Sequence, residues 1–472
     1  MDRLKRFDLL ILMLLLLLQL AICIPFLESY PVELDEPFTI YYSSRPLSET
    51  ISVLSEGNNP PLYFIVQHYW QSIFGIEPLA VRSLSLLFSL ITISVFYFFV
   101  RKRSHLLIAI GACLVLIFTD SFHHFSIEAR MFQMFLLFSF LALTSLYKFL
   151  FEANQKQLIY AVFWIVMTLY THYLGIFILL ILVMLFMIYN ERVKGLPRRY
   201  YFRSIGLFIA LMLPILYTLV IRGSDFVAEG SWLMMPNARD FVEEIFKMFN
   251  TPFNFIFFLL FNLILVSMLR NLDFFKKDSF IFFFLAGTLL YVGMFLFSLM
   301  MQPVFLERYL FVSFLFALPF LIAFEDLDLK RSKLKYFFLG IAIPFIVSLR
   351  YVPDTNRNTE TLIADIEDIM NEGYEIYFCP EHFDLLLAYY LLNDFNNYTH
   401  EELLVKMNRK GFYADCTGEL VLERLPSDLF YIDFNLEYLY PDLMPSLVIG
   451  TEYNLMEEQT FKGGYKLKKY RN

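Results

Sequence analysis

The sequence predicts an α-helical, multi-pass membrane protein with a small C-terminal α/β soluble domain. Of its 472 residues, 58% are hydrophobic and 19% aromatic, whereas soluble domains are about 45–50% apolar. About eleven apolar stretches approach the length that crosses a bilayer. After residue 350 the chain becomes acidic, with 22 Asp and Glu against 10 Lys and Arg. We therefore expect a membrane domain over 1–350 and a soluble domain over 351–472.

The first apolar stretch, at about 7–26, follows a short basic lead and lacks a small-residue cleavage site after it. We interpret it as a retained anchor instead of a signal sequence. Ten further stretches have the length and composition of spanning helices. They lie at about 79–100, 105–121, 130–151, 157–172, 174–189, 203–221, 252–270, 279–300, 305–324 and 334–349.

Basic residues predict the orientation. If the N-terminus is cytoplasmic, the basic runs at 101–103, 192–203, 276–277 and 330–335 all fall on the cytoplasmic side, as the positive-inside rule requires. Eleven spans then send the tail to the extracytoplasmic side. Most remaining acids, histidines and isolated arginines collect on that outer face, so we expect an active site to face outward.

The first outer loop, at about 28–78, is not a polar linker. Residues 36–44 and 47–54 have apolar side chains at helical spacing, and Pro60-Pro61 begins an aromatic-rich stretch. Prolines suit a helix N-terminus, and aromatic residues suit the bilayer interface. The loop therefore predicts two or three amphipathic helices lying on the membrane, which would suit a lipid-linked substrate.

Two adjacent acids, Asp35 and Glu36, stand where this loop leaves the first span. In one interpretation Asp35 caps a helix that starts with Glu36 and Pro37, because acids stabilise a helix N-terminus. In the other, one carboxylate is a general base near the low-dielectric boundary. The two interpretations are compatible, since a capping turn also orients the neighbouring side chain.

The outer segment 122–132 contains His124, Glu128 and Arg130. If its helix has already begun, His124 and Glu128 share a face. Glu128 is then either a first-turn acid or a second catalytic carboxylate, and Arg130 either a snorkelling anchor or a phosphate contact. Ionisable groups at a span entrance are costly unless used or paired, which favours function. A divalent metal held by His124 and Glu128 stays open, although no third ligand stands at diagnostic spacing.

Three more cationic or imidazole side chains are predicted on this face. His172 joins two spans with almost no loop, and Arg308 stands at the entrance of the tenth span. Each could belong to an interfacial belt or contact a substrate phosphate. Arg82, shortly after Pro78, fits an interfacial anchor better but could serve the same phosphate.

The tail has the pattern of a small α/β domain. Residues 375–379 and 430–433 predict short buried strands, 361–370 and 383–392 predict helices, and 465–470 predicts an edge strand. Cys379 and Cys416 could form a disulfide if the tail is extracytoplasmic. No basic cluster interleaved with aromatic residues indicates nucleic-acid binding.

Several short motifs occur along the chain in an order known from one enzyme family. Over about 1–325 the chain resembles the family 39 glycosyltransferases of the C-type membrane superfamily, bacterial relatives of protein O-mannosyltransferases and of the lipid A aminoarabinose transferase. The motifs are Leu34-Asp35-Glu36, Pro60-Pro61-Leu62-Tyr63, Val81-Arg82-Ser83, Glu128-Ala129-Arg130-Met131, Tyr170-Thr171-His172-Tyr173 and Glu307-Arg308-Tyr309.

The resemblance implies a hexosyl- or pentosyltransferase of a bacterial-type plasma (inner) membrane. Its donor would be a sugar on a polyprenyl phosphate, and its acceptor a hydroxyl of a glycan, lipid or protein. The family places an acidic residue at the position of Asp35 to act on the acceptor. No cofactor is required, and a divalent metal stays open.

Charge then divides the roles among the candidate residues. We assign Asp35 as the base, with Glu36 or Glu128 positioning the acceptor. Arg130 and Arg308 suit the donor phosphate because a planar guanidinium can hold two phosphate oxygens. His172 and Arg82 complete the predicted phosphate site. We expect an inverting direct displacement.

A transporter or flippase of lipid-linked saccharides is the competing interpretation. Transporters often place charged residues at the midplane and contain internal repeats. Here the ionisable residues cluster at one face, and no internal repeat is evident. This pattern favours an enzyme.

Overall fold

The chain divides into two compact units in its computed structural model. The first comprises Met1–Leu27 and Ser48–Tyr351, and the second Glu28–Leu47 and Val352–Asn472. The beginning of the first outer loop therefore belongs to the same unit as the tail. The structure describes residues 2–33, 35–56, 59–195, 197–228, 234–269, 278–318, 339–352, 359–380, 383–392, 394–416, 421, 424, 426–434, 452–462 and 464–472.

Helices account for nearly all described residues up to 351. The helices are α1 (Asp2–Ser29), α2 (Glu36–Ser44), α3 (Leu47–Glu56), α4 (Leu62–Phe74), α5 (Pro78–Arg101), α6 (Leu106–Ile117), α7 (Asp120–Ser126), α8 (Phe132–Phe151), α9 (Lys156–Thr171), α10 (Gly175–Tyr189), α11 (Arg198–Ala228), α12 (Ala238–Met248), α13 (Pro252–Leu269), α14 (Asp278–Met300), α15 (Glu307–Ala317) and α16 (Ile343–Ser348). The helices expected in the first outer loop are thus present as α2, α3 and α4.

The apolar stretches predicted as spans coincide with helices. Among the described residues, six helices are long and apolar enough to cross a membrane, and two bent pairs would bring the number to eight. The pairs are α6 with α7, bent by 67°, and α12 with α13, bent by 75°. The predicted spans 305–324 and 334–349 lie partly outside the described residues. The predicted fold class, a helical membrane protein with a small C-terminal sheet domain, is confirmed.

Helix α8 lies at the centre of the first unit, packed against α5, α9, α10 and α15. Its buried side chains include Phe135 and Phe140, whose neighbours are again aromatic. Large apolar side chains on α1, α10 and α11 instead point outward, among them Leu17, Met187 and Phe202. Exposed apolar surface of this extent is expected where lipid replaces water.

The second unit contains a five-stranded sheet. Its strands are β1 (Ile376–Cys379), β2 (Phe412–Ala414), β3 (Asp428–Phe434), β4 (Asn454–Thr460) and β5 (Tyr465–Arg471), in the order β2-β1-β3-β5-β4. The first three are parallel, and β5 is antiparallel to β3 and β4. The prediction that 465–470 is an edge strand was wrong. It pairs on both sides, because the exposed polar segment 454–460 adds a further strand outside it.

The tail helices are α17 (Thr359–Asn371), α18 (Asp384–Leu391) and α19 (His400–Arg409). Cys379, at the end of β1, forms a disulfide with Cys416. Because β1 and β2 are parallel neighbours, their C-terminal ends meet at one edge of the sheet, which brings the two cysteines together.

Candidate active site

Arg130 ends the bend that joins α7 to α8. Its amide donates to the carbonyl of Glu128 at 2.8 Å, and its own carbonyl accepts from the hydroxyl of Ser85 on α5 at 3.2 Å. Tyr63 of α4 shares a hydrogen bond of 3.3 Å with Ser85. Helix α5 thus holds the Arg130 backbone directly, α4 supports that contact through Ser85, and Arg130 is only 5% exposed.

His172 lies in the tight turn between α9 and α10. Gly175 permits this turn, since a Cβ there would lie 3.1 Å from the backbone nitrogen of Leu169. The amide of Leu174 donates to His172 Nδ1 at 3.1 Å. Because Nδ1 accepts a hydrogen bond, a neutral imidazole carries its proton on Nε2. The ring is 8% exposed, and its centroid lies 5.2 Å from that of Tyr309.

Arg308, at the start of α15, approaches the same place. Its guanidinium carbon lies 5.1 Å from the centre of the Tyr309 ring and 5.8 Å from that of Phe132. The pKa of His172 is lowered to about 3, first by burial and then by the positive charges of Arg308 and Arg130. Two arginines and a neutral imidazole therefore converge, and we call Arg130, His172 and Arg308 the arginine–histidine group.

Arg82, the fourth predicted phosphate residue, is fully buried in α5. Its Nη1 donates to the carbonyl of Leu27 at 3.0 Å. It stands one helical turn before Ser85, whose hydroxyl reaches Arg130. A buried side chain of this kind is not the exposed interfacial anchor expected from the sequence.

The expectation that His124 and Glu128 share a helical face was wrong. Helix α7 ends at Ser126, and residues 127–130 bend before α8 begins. The Nε2 proton of His124 is donated to the carbonyl of Arg350 at 2.9 Å. Within the described ranges, His, Cys, Asp and Glu side chains nowhere form a group of three placed to hold a metal ion.

An ion pair made by the buried first residue of α7 was missed by sequence reasoning. Asp120 accepts from Arg350 twice, from the guanidinium Nε at 2.6 Å and from the backbone amide at 2.8 Å. His123 also donates to the carbonyl of Tyr351, at 3.0 Å. These contacts attach the segment after α16 to α7. The available signal was an aspartate directly after an apolar run, but its partner stands 230 positions later.

Glu307, next to Arg308, also reaches α7, where its carboxylate accepts from the Ser121 hydroxyl. The predicted motif at 307–309 therefore contributes to two places. Glu307 links α15 to α7, and Arg308 joins the arginine–histidine group.

The acidic pair lies in the second unit. Asp35 occupies the N-cap position of α2, but its side chain makes no capping hydrogen bond. Its backbone carbonyl accepts from the amide and the hydroxyl of Thr39, each at 3.2 Å. Glu36 is 1% exposed, whereas Asp35 is half-buried. Helix α2 thus begins where the first interpretation expected, with Asp35 at its N-cap, but without a capping hydrogen bond from the carboxylate. Leu34 lies outside the described residues.

Comparisons with known proteins agree with this architecture. A family model described as dolichyl-phosphate-mannose-protein mannosyltransferase matches residues 58–218. ArnT from Cupriavidus metallidurans, in the apo state, is similar with a TM-score of 0.61 at 13% identity over 97% of each chain. The chain therefore has a fold like that of ArnT. ArnT bound to undecaprenyl phosphate gives a TM-score of 0.58 at 12% identity, again over 97% of each chain.

The family resemblance stated from the motifs is supported over residues 58–218 by the family model, and the similarity to ArnT shows the fold over nearly the whole chain. No curated protein sequence matches the chain. The residues matched by the family model include Arg82, Glu128, Arg130 and His172.

The arginine–histidine group has the chemistry of an anion site. Guanidinium groups present N–H donors in a planar fork that matches two phosphate oxygens. A neutral imidazole adds one more donor through Nε2 without competing as a base. Because Arg130 and His172 are largely buried, an anion bound there would be screened little by water.

Proposed function

We propose that this protein is a membrane glycosyltransferase that moves a sugar from a polyprenyl-phosphate donor to an acceptor hydroxyl. The observation that carries the proposal is the convergence of Arg130, Arg308 and a neutral His172 in a chain with the C-type fold. A protein of the same fold, ArnT, has been crystallised with undecaprenyl phosphate. The arginine–histidine group would hold the phosphate of such a donor.

Transfer would take place on the extracytoplasmic face of a bacterial-type inner membrane. The basic runs at 101–103 and 192–203 support a cytoplasmic location for the loops that carry them. The disulfide between Cys379 and Cys416 supports an extracytoplasmic tail, because disulfides persist in oxidising compartments.

The reaction we propose is a direct displacement with inversion at the anomeric carbon. The acceptor oxygen attacks that carbon as its bond to the donor phosphate breaks, and the acceptor proton passes to Asp35. The phosphate leaves with the bonding electrons and needs no general acid, because the second pKa of a phosphate monoester is about 6. It needs positive charge, which Arg130 and Arg308 supply.

Asp35 suits the base better than Glu36. Glu36 is buried, whereas Asp35 is half-buried and therefore more accessible to an acceptor hydroxyl. Glu36 or Glu128 would position the acceptor. Because a positioned base contributes about 10²- to 10⁴-fold to a rate, Asp35→Asn should lower transfer by that factor.

The test uses purified protein with a panel of polyprenyl-phosphate sugars, both hexoses and pentoses, with and without chelator. Asp35→Asn should lose transfer yet still bind the donor. Asp368→Asn, at an exposed position on α17, is the matched control and should keep full activity. Unchanged transfer by Asp35→Asn would refute the assignment of the base.

Product analysis tests the displacement itself. We expect the anomeric configuration to be inverted and no sugar to be attached covalently to the protein. A retained configuration would rule out direct displacement. Movement of the intact lipid-linked sugar across vesicles, without cleavage of donor, would favour a flippase over an enzyme.

A further inference from the structure

The tail contacts the N-terminal side of the acidic segment, which we define as Glu33, Asp35 and Glu36. The hydroxyl of Tyr390, on α18, donates to the carbonyl of Val32 at 2.9 Å. The hydroxyl of Thr359, the first residue of α17, donates to the Glu33 carboxylate at 3.2 Å. Thr359 and Glu33 are both buried. Two tail side chains therefore hold the chain within three residues of Asp35.

The helix that follows the acidic segment is held at its other end. Tyr41 of α2 donates its hydroxyl to the carbonyl of Tyr398 at 2.8 Å, and Arg45 donates to the same carbonyl at 3.1 Å. The Tyr41 ring lies 6.0 Å from that of Phe395. Residues 32–45 thus contact the tail before and after α2.

The Tyr398 carbonyl, which accepts the hydrogen bonds from Tyr41 and Arg45, is itself fixed by local structure. Thr399 caps α19 through its hydroxyl, and Glu402 completes the capping box. This cap holds the backbone directly after Tyr398.

Helix α2 needs contacts from outside itself to persist, because a helix of nine residues is too short to be stable alone. The geometry of the acidic segment therefore depends on the tail contacts.

We propose that the tail is a scaffold that positions the acidic segment for transfer, with Thr359 and Tyr390 as positioning residues. The inference rests on the proposed function of Asp35 as the base. Thr359 and Tyr390 are not expected to contact the acceptor or the donor. Each fixes the backbone or the neighbouring carboxylate, and the direction of the Asp35 side chain follows from that. A catalytic group displaced by about 1 Å can lose on the order of 10²-fold in rate.

The first test compares two tyrosines of the tail in the full-length protein. Tyr390→Phe removes the hydroxyl that reaches Val32, whereas Tyr453→Phe removes one that donates to Pro426 at the same distance of 2.9 Å. We expect Tyr390→Phe to lower kcat at least about 10-fold with little change in donor KM. Tyr453→Phe should keep wild-type kcat. Equal effects of the two substitutions would overturn the proposal.

The second test uses substitutions at Thr359 that separate shape from hydrogen bonding. Thr359→Val keeps the shape but removes the hydroxyl, whereas Thr359→Ser keeps the hydroxyl. We expect Thr359→Val to lower kcat and Thr359→Ser to restore most of it. A serine variant as impaired as the valine variant would mean that packing, and not the bond to Glu33, is what counts.

Hydrogen exchange separates failure of the scaffold from failure of the proposed function. Tyr390→Phe should make the backbone amides of residues 36–44 exchange several-fold faster than in wild type, and Tyr453→Phe should not. Unchanged exchange would refute the scaffold whatever the enzyme does. Faster exchange in a protein that transfers no sugar, or whose Asp35→Asn variant is fully active, would instead refute the proposed function.

Discussion

Replacing His172 by asparagine should make the folded protein less sensitive to acid. In the folded state the pKa of His172 is lowered from 6.5 to about 3, by burial and by Arg308 and Arg130. As the pH falls below 6.5, the unfolded chain binds a proton that the folded protein does not. Stability is therefore complete above pH 6.5 and is lost progressively as the pH falls towards 3.

The size of the effect follows from the shift. At pH 5 the ordinary histidine pKa lies 1.5 units above the pH, whereas the folded value of about 3 still lies well below it. Each unit corresponds to about 1.4 kcal/mol, so protonation of the unfolded state costs the fold about 2 kcal/mol between pH 7 and pH 5. Asparagine removes this cost, and its side-chain oxygen can still accept from the Leu174 amide.

The measurement is the free energy of unfolding in detergent at pH 7 and at pH 5. The loss of stability between these values should be about 2 kcal/mol smaller for His172→Asn than for wild type, since the other titrating groups are common to both. His68→Asn, at another histidine of the first unit, controls for the removal of an imidazole. A pH dependence identical to that of wild type would show that His172 is not held neutral beside the two arginines.

Three further outcomes are expected. Arg308→Met should lower kcat/KM for the donor by about 10²-fold, because a preorganised cation is removed from the phosphate site, and unchanged kinetics would exclude that role. Replacing both Cys379 and Cys416 by serine should destabilise the tail by about 4 kcal/mol, from the sequence separation of 37 between them, as measured by denaturant unfolding. The pKa of His400 is raised by its hydrogen bond to Asp384. The stability that this pair contributes should be present below pH 6.5 and lost above the raised pKa, so Asp384→Asn should destabilise the protein more at pH 6 than at pH 9.

The helices were predictable because their signal is local. A run of about 20 apolar residues, such as 132–151, has few alternatives to a membrane helix, since every backbone polar group must be satisfied inside it. The tail strands at 376–379 and 428–434 were recognisable as short buried runs. The position of 465–471 within the sheet was not, because pairing on its second side depends on a separate strand.

Part of the candidate site was predictable for a related reason. Arg130, His172 and Arg308 stand at the ends of apolar stretches on one predicted face, where charged groups are expensive unless used. The structure places Arg308 and Arg130 close enough to act on the charge of His172, a proximity that sequence spacing alone does not specify. The four-residue spacing of His124 and Glu128 suggested a shared helical face, but the two do not share one because α7 ends between them.

By itself, the sequence determined that this is a helical membrane protein with an acidic tail. Hydropathy and charge act residue by residue along the chain, so they can be read without coordinates. The tertiary structure alone decided that Asp120 pairs with Arg350 and that the tail holds the acidic segment through Thr359 and Tyr390. Such contacts join residues hundreds of positions apart, and no local pattern specifies which of many polar side chains will meet.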